Sequence, residues 1–379
     1  MAPDIATLNV SAPAQNAIDS IKSKLASENA GKSQNAKPLQ LSGILDKYKH
    51  FEVTPVIGRE FPKLQIRDLL KADNSDELLR ELAIIISRRG VVFFRAQDLT
   101  PDEQKHFTER LGKLTGKPES SGLHIHPIIN AERDGEHQVV DEFGNINKDD
   151  TISVISSKFR KAAYHEYRKS GADEWHSDIT FEPVPADYTS LKVHTLPPTG
   201  GDTLWSSGYE IFDLLSDPLK RFAEGLTGYF AQPAFNETAA RQGFRVHPGP
   251  RGSPLNVGEK LEAHHPFIRT NPVTGWKSVF GLGSHFKSID GLTPQESDLF
   301  RKHILNLVTS SHAAQVRFKW QQSGDLAVWD NRSVFHAATP DYDGLGDRAG
   351  VRAVSLGEKP FYDPNSTSRR EELGQGQLI

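Results

Sequence analysis

The 379-residue sequence predicts a mainly β fold with flanking helices, and three observations carry that expectation. Short runs rich in β-branched and aromatic residues recur at 151–156, 189–195, 202–205, 276–280, 315–320, 326–329 and 350–356, separated by Gly and Pro turns. That is the pattern of a sandwich or barrel. A helix-start signature occurs twice, at Thr100-Pro101-Asp102-Glu103 and Thr293-Pro294-Gln295-Glu296, each with an N-cap, a first-turn proline and a capping-box position. Hydrophobic residues at 36% and charged residues at 25% supply ample core material.

Residues 1–45 are rich in Ala, Ser, Asn, Gln and Lys and read as a poorly ordered arm, with Ile18, Ile21 and Leu25 suited to a short amphipathic helix. Order is expected from about Phe51, with a strand over 51–55. Leu78, Leu79, Leu82 and Ile85 lie near a 3.6-residue period and predict a helix over 75–89. Gly90 closes it, and 91–95 reads as a buried strand. The helix opened at Thr100 should bury Phe107 and Leu111; the one opened at Thr293 has Leu299, Ile304 and Leu307 as its apolar positions. The flanking helical units are thus 75–113 and 293–309. Residues 130–172 are polar and charged, an insertion or a lid. One domain is expected over 46–365, followed by a polar tail at 366–379.

Composition also excludes several classes. A net charge of −4 and a pI of 6.4 leave no basic footprint for nucleic acid. No run approaches the length of a membrane span, and Asp4 sits where a secretory signal would be basic and then apolar. Without cysteine there are no disulfides, thiolate ligands or thiol nucleophiles. A cytoplasmic protein acting on a small molecule is expected, with homo-oligomerisation left open.

Any metal must therefore be held by His, Asp or Glu. In Glu174-Trp175-His176-Ser177-Asp178, an extended backbone would send His176 and Asp178 to the same face. His336, beyond Trp329-Asp330-Asn331-Arg332, could complete two histidines and one carboxylate. That set covers one face of an octahedral metal and leaves the others open, as in non-haem Fe(II) oxygenases. Gly200 and Gly201 permit a tight turn before Thr203. On a strand, Arg348, Gly350 and Arg352 share a face, a receptor for carboxylate groups. His264-His265 looks like a metal pair, but adjacent strand residues face opposite ways, so a structural role is expected.

Taken in order, 91–95, Leu123-His124-Ile125-His126-Pro127, Trp175–Asp178, 200–205, His265-Pro266 with Arg269-Thr270-Asn271-Pro272, 329–336, 348–352 and Gly357-Glu358-Lys359-Pro360 resemble the taurine/2-oxoglutarate dioxygenase family over about residues 50–362. The resemblance implies a double-stranded β-helix (jelly-roll) core and Fe(II) bound by His176, Asp178 and His336. It also implies that Thr203 and Arg348 hold the distal carboxylate of 2-oxoglutarate, with O2 as the other co-substrate. Arg352 would touch co-substrate and substrate, and His126 the substrate's anionic group, with His124 as its rival. Ile179 and His285 are candidate pocket residues. The reaction implied is oxidative decarboxylation to succinate and CO2 coupled to hydroxylation of a small anionic compound. An alkylsulfonate, releasing sulfite and an aldehyde, is the leading expectation. Ile129, Ala172, Leu282 and His285 depart from the taurine-specific pattern, so the alternative is oxidation of an amino acid or other small carboxylic acid in secondary metabolism. A non-catalytic jelly-roll binding protein and a zinc hydrolase are readings from other classes.

Overall fold

The strand Val91–Phe94 is buried along its whole length because both of its faces are covered. Val92 and Phe94 pack against helices, while Val91 and Phe93 point the other way into a second sheet. Period-2 alternation within a continuous apolar run produces this two-sided burial. Its antiparallel neighbour Leu326–Asp330 divides likewise, with Leu326 and Val328 toward the helices and Ala327 and Trp329 toward the second sheet. In the computed structural model, which describes residues 38–128, 151–157 and 171–376, these two strands are central to a seven-stranded sheet. Its order is Phe51–Glu52, Arg59–Phe61, Val91–Phe94, Leu326–Asp330, Ala186–Thr195, Ala349–Leu356, Ser153–Ser156. Arg59–Phe61 runs parallel to Val91–Phe94; the other neighbours are antiparallel.

The helical layer consists of Ile66–Lys71, Ser75–Arg89 and Pro101–Leu114. Ser75–Arg89 matches the periodicity that predicts it and buries Leu78, Leu79, Leu82 and Ile85. Pro101–Leu114 starts on a complete capping box, with Thr100 and Glu103 each bonding the other's main chain, and buries Phe107 and Leu111. Gly90 turns the chain at φ 75°, and a Cβ there would lie 2.6 Å from Val334 Cγ1. Gly90→Ala is therefore expected to cost at least about 1–2 kcal/mol from the backbone alone, read as a lower denaturant midpoint.

The second sheet, Gln315–Phe318, Thr203–Ser207 and Val334–Ala338, has Thr203–Ser207 at its centre. Trp205, Val316, Phe318 and Val334 meet Phe93 and Trp329 between the sheets. Phe335 and Ala337, on the opposite face, pack with the helices Gly208–Asp213 and Pro294–Ser310.

Several expectations are revised. Leu299 is 72% exposed; the helix instead buries Ser297, Phe300, Ile304 and Val308. Positions 300, 304 and 308 form one stripe, and Leu299 lies about 100° away around the axis. The strand expected over 51–55 is only Phe51–Glu52, while the one expected from 189 begins at Ala186. Residues 38–45, assigned to the arm, are anchored: the Ser42 and Gly43 N–H groups donate to the Glu81 carboxylate at 2.8 Å each, and Leu45 is buried. The tail carries the helix Arg369–Glu372, docked where Arg370 Nη2 donates to Glu210 Oε1 at 2.5 Å. The helix expected around Ile18 and Leu25, Ile129 and most of 130–172 lie outside the described residues; within that last stretch, Ser153–Ser156 pairs with Ala349–Leu356. Among the described residues no helix is long and apolar enough to cross a membrane.

Candidate active site

His336 sits in the strand Val334–Ala338, opposite Trp205. Side chains directly opposite in an antiparallel pair share a face, and so do residues two apart. Thr203, Trp205 and His336 therefore all point inward, between the sheets. His176 is fastened to this strand by a reciprocal bridge: its N–H donates to the His336 carbonyl at 3.0 Å, and the His336 N–H returns a bond at 2.8 Å. Gly283, at φ 113°, lets its own loop approach His176 closely; a Cβ there would be 3.0 Å from the His176 Cα.

The extended segment expected through His176 and Asp178 is a single bridge followed by a turn. The ligand atoms nevertheless converge. One atom each from His176, Asp178 and His336 lie within 4.8 Å of one another, the group of His, Asp and Glu side chains among the described residues with this geometry. The donor chemistry suits a divalent metal. His176 Nδ1–H donates to the Glu174 carbonyl at 2.7 Å, which leaves Nε2 as the lone-pair nitrogen. Burial pushes His336 down to about 3, so it stays neutral and able to ligate. Burial opposes ionisation of Asp178, but the adjacent Arg352 guanidinium outweighs it and the carboxyl is held well below the usual range.

Arg352 Nη1 donates to Asp178 Oδ1 at 2.8 Å. Arg348 lies just before the strand Ala349–Leu356; its Nη2 donates to Thr203 Oγ1 at 3.2 Å, and its guanidinium stacks on Trp320 at 5.6 Å. Trp320 Nε1 donates to the same hydroxyl at 3.1 Å. Thr203 is two residues along the sheet from the position facing His336, about 7 Å, within reach of a five-carbon diacid held at both ends. Thus the structure joins Thr203 to Arg348, and Arg352 to the three-residue cluster.

The remaining candidates surround the other side. His285 Nδ1 bonds Thr180 Oγ1 at 3.0 Å, and its ring lies 6.2 Å from that of His176 and 4.9 Å from that of Phe181. Phe181 packs edge-on to Phe235 at 5.6 Å, which in turn meets the His126 ring at 5.1 Å. Burial, assisted by Arg352, keeps His126 neutral; burial and His176 do the same for His285, at about 3. His124, the rival of His126, is turned onto Glu182 at 3.4 Å, and Glu182 is bound by Arg251 at 2.5 and 2.9 Å. Ile179 is buried with Ile128, Phe181 and Phe235 and adopts φ 49°. For a β-branched residue that conformation costs about 1–3 kcal/mol. Leu282 joins the helix-side core. As expected, His264 and His265 diverge: His264 faces Asp290 at the surface, and buried His265 Nε2 donates to the Thr180 carbonyl at 2.9 Å.

Sequence reasoning passed over Thr180, Thr189 and Asn331. Asn331 was visible inside the 329–336 motif but had no role, and Thr189 looked like any strand threonine.

Comparison with known proteins agrees with this arrangement. The taurine catabolism dioxygenase TauD, TfdA family matches residues 49–354. The chain is 45% identical over 338 residues to alpha-ketoglutarate-dependent dioxygenase oryG of Aspergillus oryzae, covering 89% of this chain and 96% of that protein. It is 30% identical to the alpha-ketoglutarate-dependent sulfonate dioxygenase of Saccharomyces cerevisiae, covering 82% of this chain and 68% of that one. Among solved structures, a taurine dioxygenase from Burkholderia xenovorans superposes with a TM-score of 0.61 at 26% identity, over 84% of this chain and 92% of that one. These likenesses set aside the binding-protein and zinc-hydrolase readings. With the family's fold, a His-Asp-His cluster and α-ketoglutarate-dependent relatives, the chain belongs to the TauD, TfdA family and is an α-ketoglutarate (2-oxoglutarate)-dependent dioxygenase that uses Fe(II) and O2 on a small molecule.

Proposed function

We propose that His176, Asp178 and His336 hold the iron, and that Arg348 and Thr203 hold the distal carboxylate of 2-oxoglutarate. The catalytic unit is a single domain over 46–365 with a double-stranded β-helix core. Its support is the pair of sheets packed through Trp205, Phe93 and Trp329, with the inward-facing cluster at one end. Bound Fe(II) with 2-oxoglutarate supplies oxygen activation, and the keto acid leaves as succinate and CO2. The chain's part is positional. Arg348 anchors the diacid by charge-assisted hydrogen bonds, Arg352 stays beside the Asp178 carboxylate, and the substrate rests against His126, Ile179 and His285.

The substrate is a small carboxylic acid or amino acid of the kind oxidised in secondary metabolism, ahead of an alkylsulfonate. The observation that carries this choice is the order of the likenesses, since the pocket wall suits either anion: Phe181 and Phe235 connect two neutral imidazoles, with Arg352 and its partner Asp178 nearby. The relative at 45% identity has no sulfonate in its name, whereas relatives named for sulfonates stand at 33% and 30%. Sulfonate hydroxylation is the second reading, favoured by the nearness of Arg352 and His126.

The test supplies Fe(II), 2-oxoglutarate and a panel of carboxylic acids, amino acids and alkylsulfonates, reading succinate and sulfite together. Succinate driven by a carboxylic acid without sulfite is expected; sulfite release from a sulfonate at higher kcat/KM would reverse the choice. Arg348→Gln should raise the KM for 2-oxoglutarate about 10- to 100-fold, the loss of one charged hydrogen bond, with metal uptake unchanged. An unaltered KM would remove Arg348 from the co-substrate site.

A further inference from the structure

Asn331 lies one residue beyond the strand Leu326–Asp330, is 1% exposed, and makes four hydrogen bonds through its side chain. Its Oδ1 accepts from the Asp178 main-chain N–H at 3.1 Å and from Trp329 Nε1–H at 3.0 Å. Its Nδ2 donates to Thr189 Oγ1 at 2.8 Å and to the Asp187 carbonyl at 3.3 Å. Two donors on one end and two acceptors on the other leave a single orientation of the amide that satisfies all four partners.

That orientation decides where the Thr189 proton goes. Thr189 Oγ1 receives a hydrogen from Asn331, so its own hydrogen is free for Asp178 Oδ2, 3.1 Å away. Oδ2 is therefore engaged. The other oxygen, Oδ1, accepts from Arg352 Nη1 at 2.8 Å with one lone pair, and with the second it faces the cluster, 3.9 Å from His336 Nε2. Asn331 thus grips Asp178 at both ends, directly at the main chain and through Thr189 at the carboxylate.

We propose that Asn331 and Thr189 are positioning residues that hold Asp178 in a one-oxygen mode, presenting Oδ1 alone to the metal and keeping Oδ2 away from it. The inference rests on the metal-site reading above. Freed from Thr189, the carboxylate can swing or offer both oxygens, which would occupy a position the co-substrates require. Partners of this kind typically change metal affinity about 10- to 100-fold.

The probe is Co(II) titrated into metal-free protein, read by binding isotherm and by the ligand-field absorption of the complex, with thermal unfolding as the fold control. Thr189→Val, which removes the hydroxyl and keeps the shape, should weaken Co(II) binding about tenfold or more and alter the absorption envelope. Thr189→Ser should restore both. Asn331→Asp, isosteric but without hydrogens to give, should act in the same direction by drawing the Thr189 proton to itself. Because the two residues act through one hydrogen bond, the double variant should lose less than the product of the single losses. A folded Thr189→Val protein that binds Co(II) as the parent does, with the same spectrum, overturns the inference alone. A parent chain that takes up no Co(II) overturns the metal-site reading and this inference together. If Asn331→Asp does not fold, the Val and Ser pair at position 189 still decides.

Discussion

Asp178→Ala is expected to abolish turnover and to weaken metal uptake by more than about 100-fold, beyond the loss from removing an outer partner, while the chain still folds. The carboxylate is the anionic member of the cluster, and its charge is enforced by Arg352 against the opposing effect of burial. What holds the segment in place does not need that side chain. The His176–His336 bridge joins main chain to main chain, and the residue 178 N–H that donates to Asn331 Oδ1 also belongs to the main chain. Removing the carboxylate leaves the Arg352 guanidinium without its 2.8 Å partner, but that side chain retains some contact with solvent. Asp178→Asn, which keeps an acceptor for Arg352, serves as the matched control and should lose metal without the unfolding penalty. The measurements are succinate formation, Co(II) or Fe(II) binding and thermal unfolding on the same preparations. Full activity in the Ala variant would falsify the ligand assignment.

Asp330→Ala should instead cost stability, about 3–5 kcal/mol, the largest such effect expected outside the cluster. Asp330 is completely buried and saturated: Arg332 Nε and Nη2 donate to its two oxygens at 2.8 and 2.9 Å, Ser87 Oγ at 2.7 Å and Asn271 Nδ2 at 2.9 Å. Arg332 is itself buried and stacks on Tyr188 at 4.7 Å. Truncating Asp330 leaves that guanidinium with Glu358 at 3.6 Å as its acidic neighbour and takes the acceptor from the Asn271 amide. Although burial opposes ionisation, Arg332 holds the Asp330 carboxyl below its ordinary value. A depressed folded-state pKa stabilises above the unfolded value and is lost as pH falls through the folded one, so the parent should lose stability more steeply in acid than the variant. Urea midpoints across pH test this. Asp298→Ala, at an exposed pair with Arg301 and Lys302, should leave the midpoint where it was. Equal shifts for the two variants would show that the Asp330 network carries no special weight.

Much of the helical layer was legible because its signals are local. The Leu78–Ile85 stripe and the Thr100 capping box specify their helices within a few residues, and the structure reproduces both. The strands Thr227–Ala231, Glu262–Pro266, Phe286–Ile289 and Val334–Ala338 were not legible. They are short, interrupted by Gly, His, Lys or Pro, and gain their character from the partners they pair with. Leu299 shows the same limit on a helix: apolar identity alone did not say which stripe would face the core.

By itself, the sequence determined which side chains could meet a metal and which cations could meet an acid, because residue chemistry is independent of fold and cysteine was absent. It also determined the main helices, through local periodicity and caps. The tertiary structure alone decided which atoms face one another: that Oδ2 of Asp178 belongs to Thr189, that His124 serves Glu182 rather than the pocket, and that Asp330 and Arg332 are buried together. The first two are hydrogen bonds across separate segments, and in all three the chemistry depends on burial. Pairing register and packing place them; no local pattern in the chain encodes them.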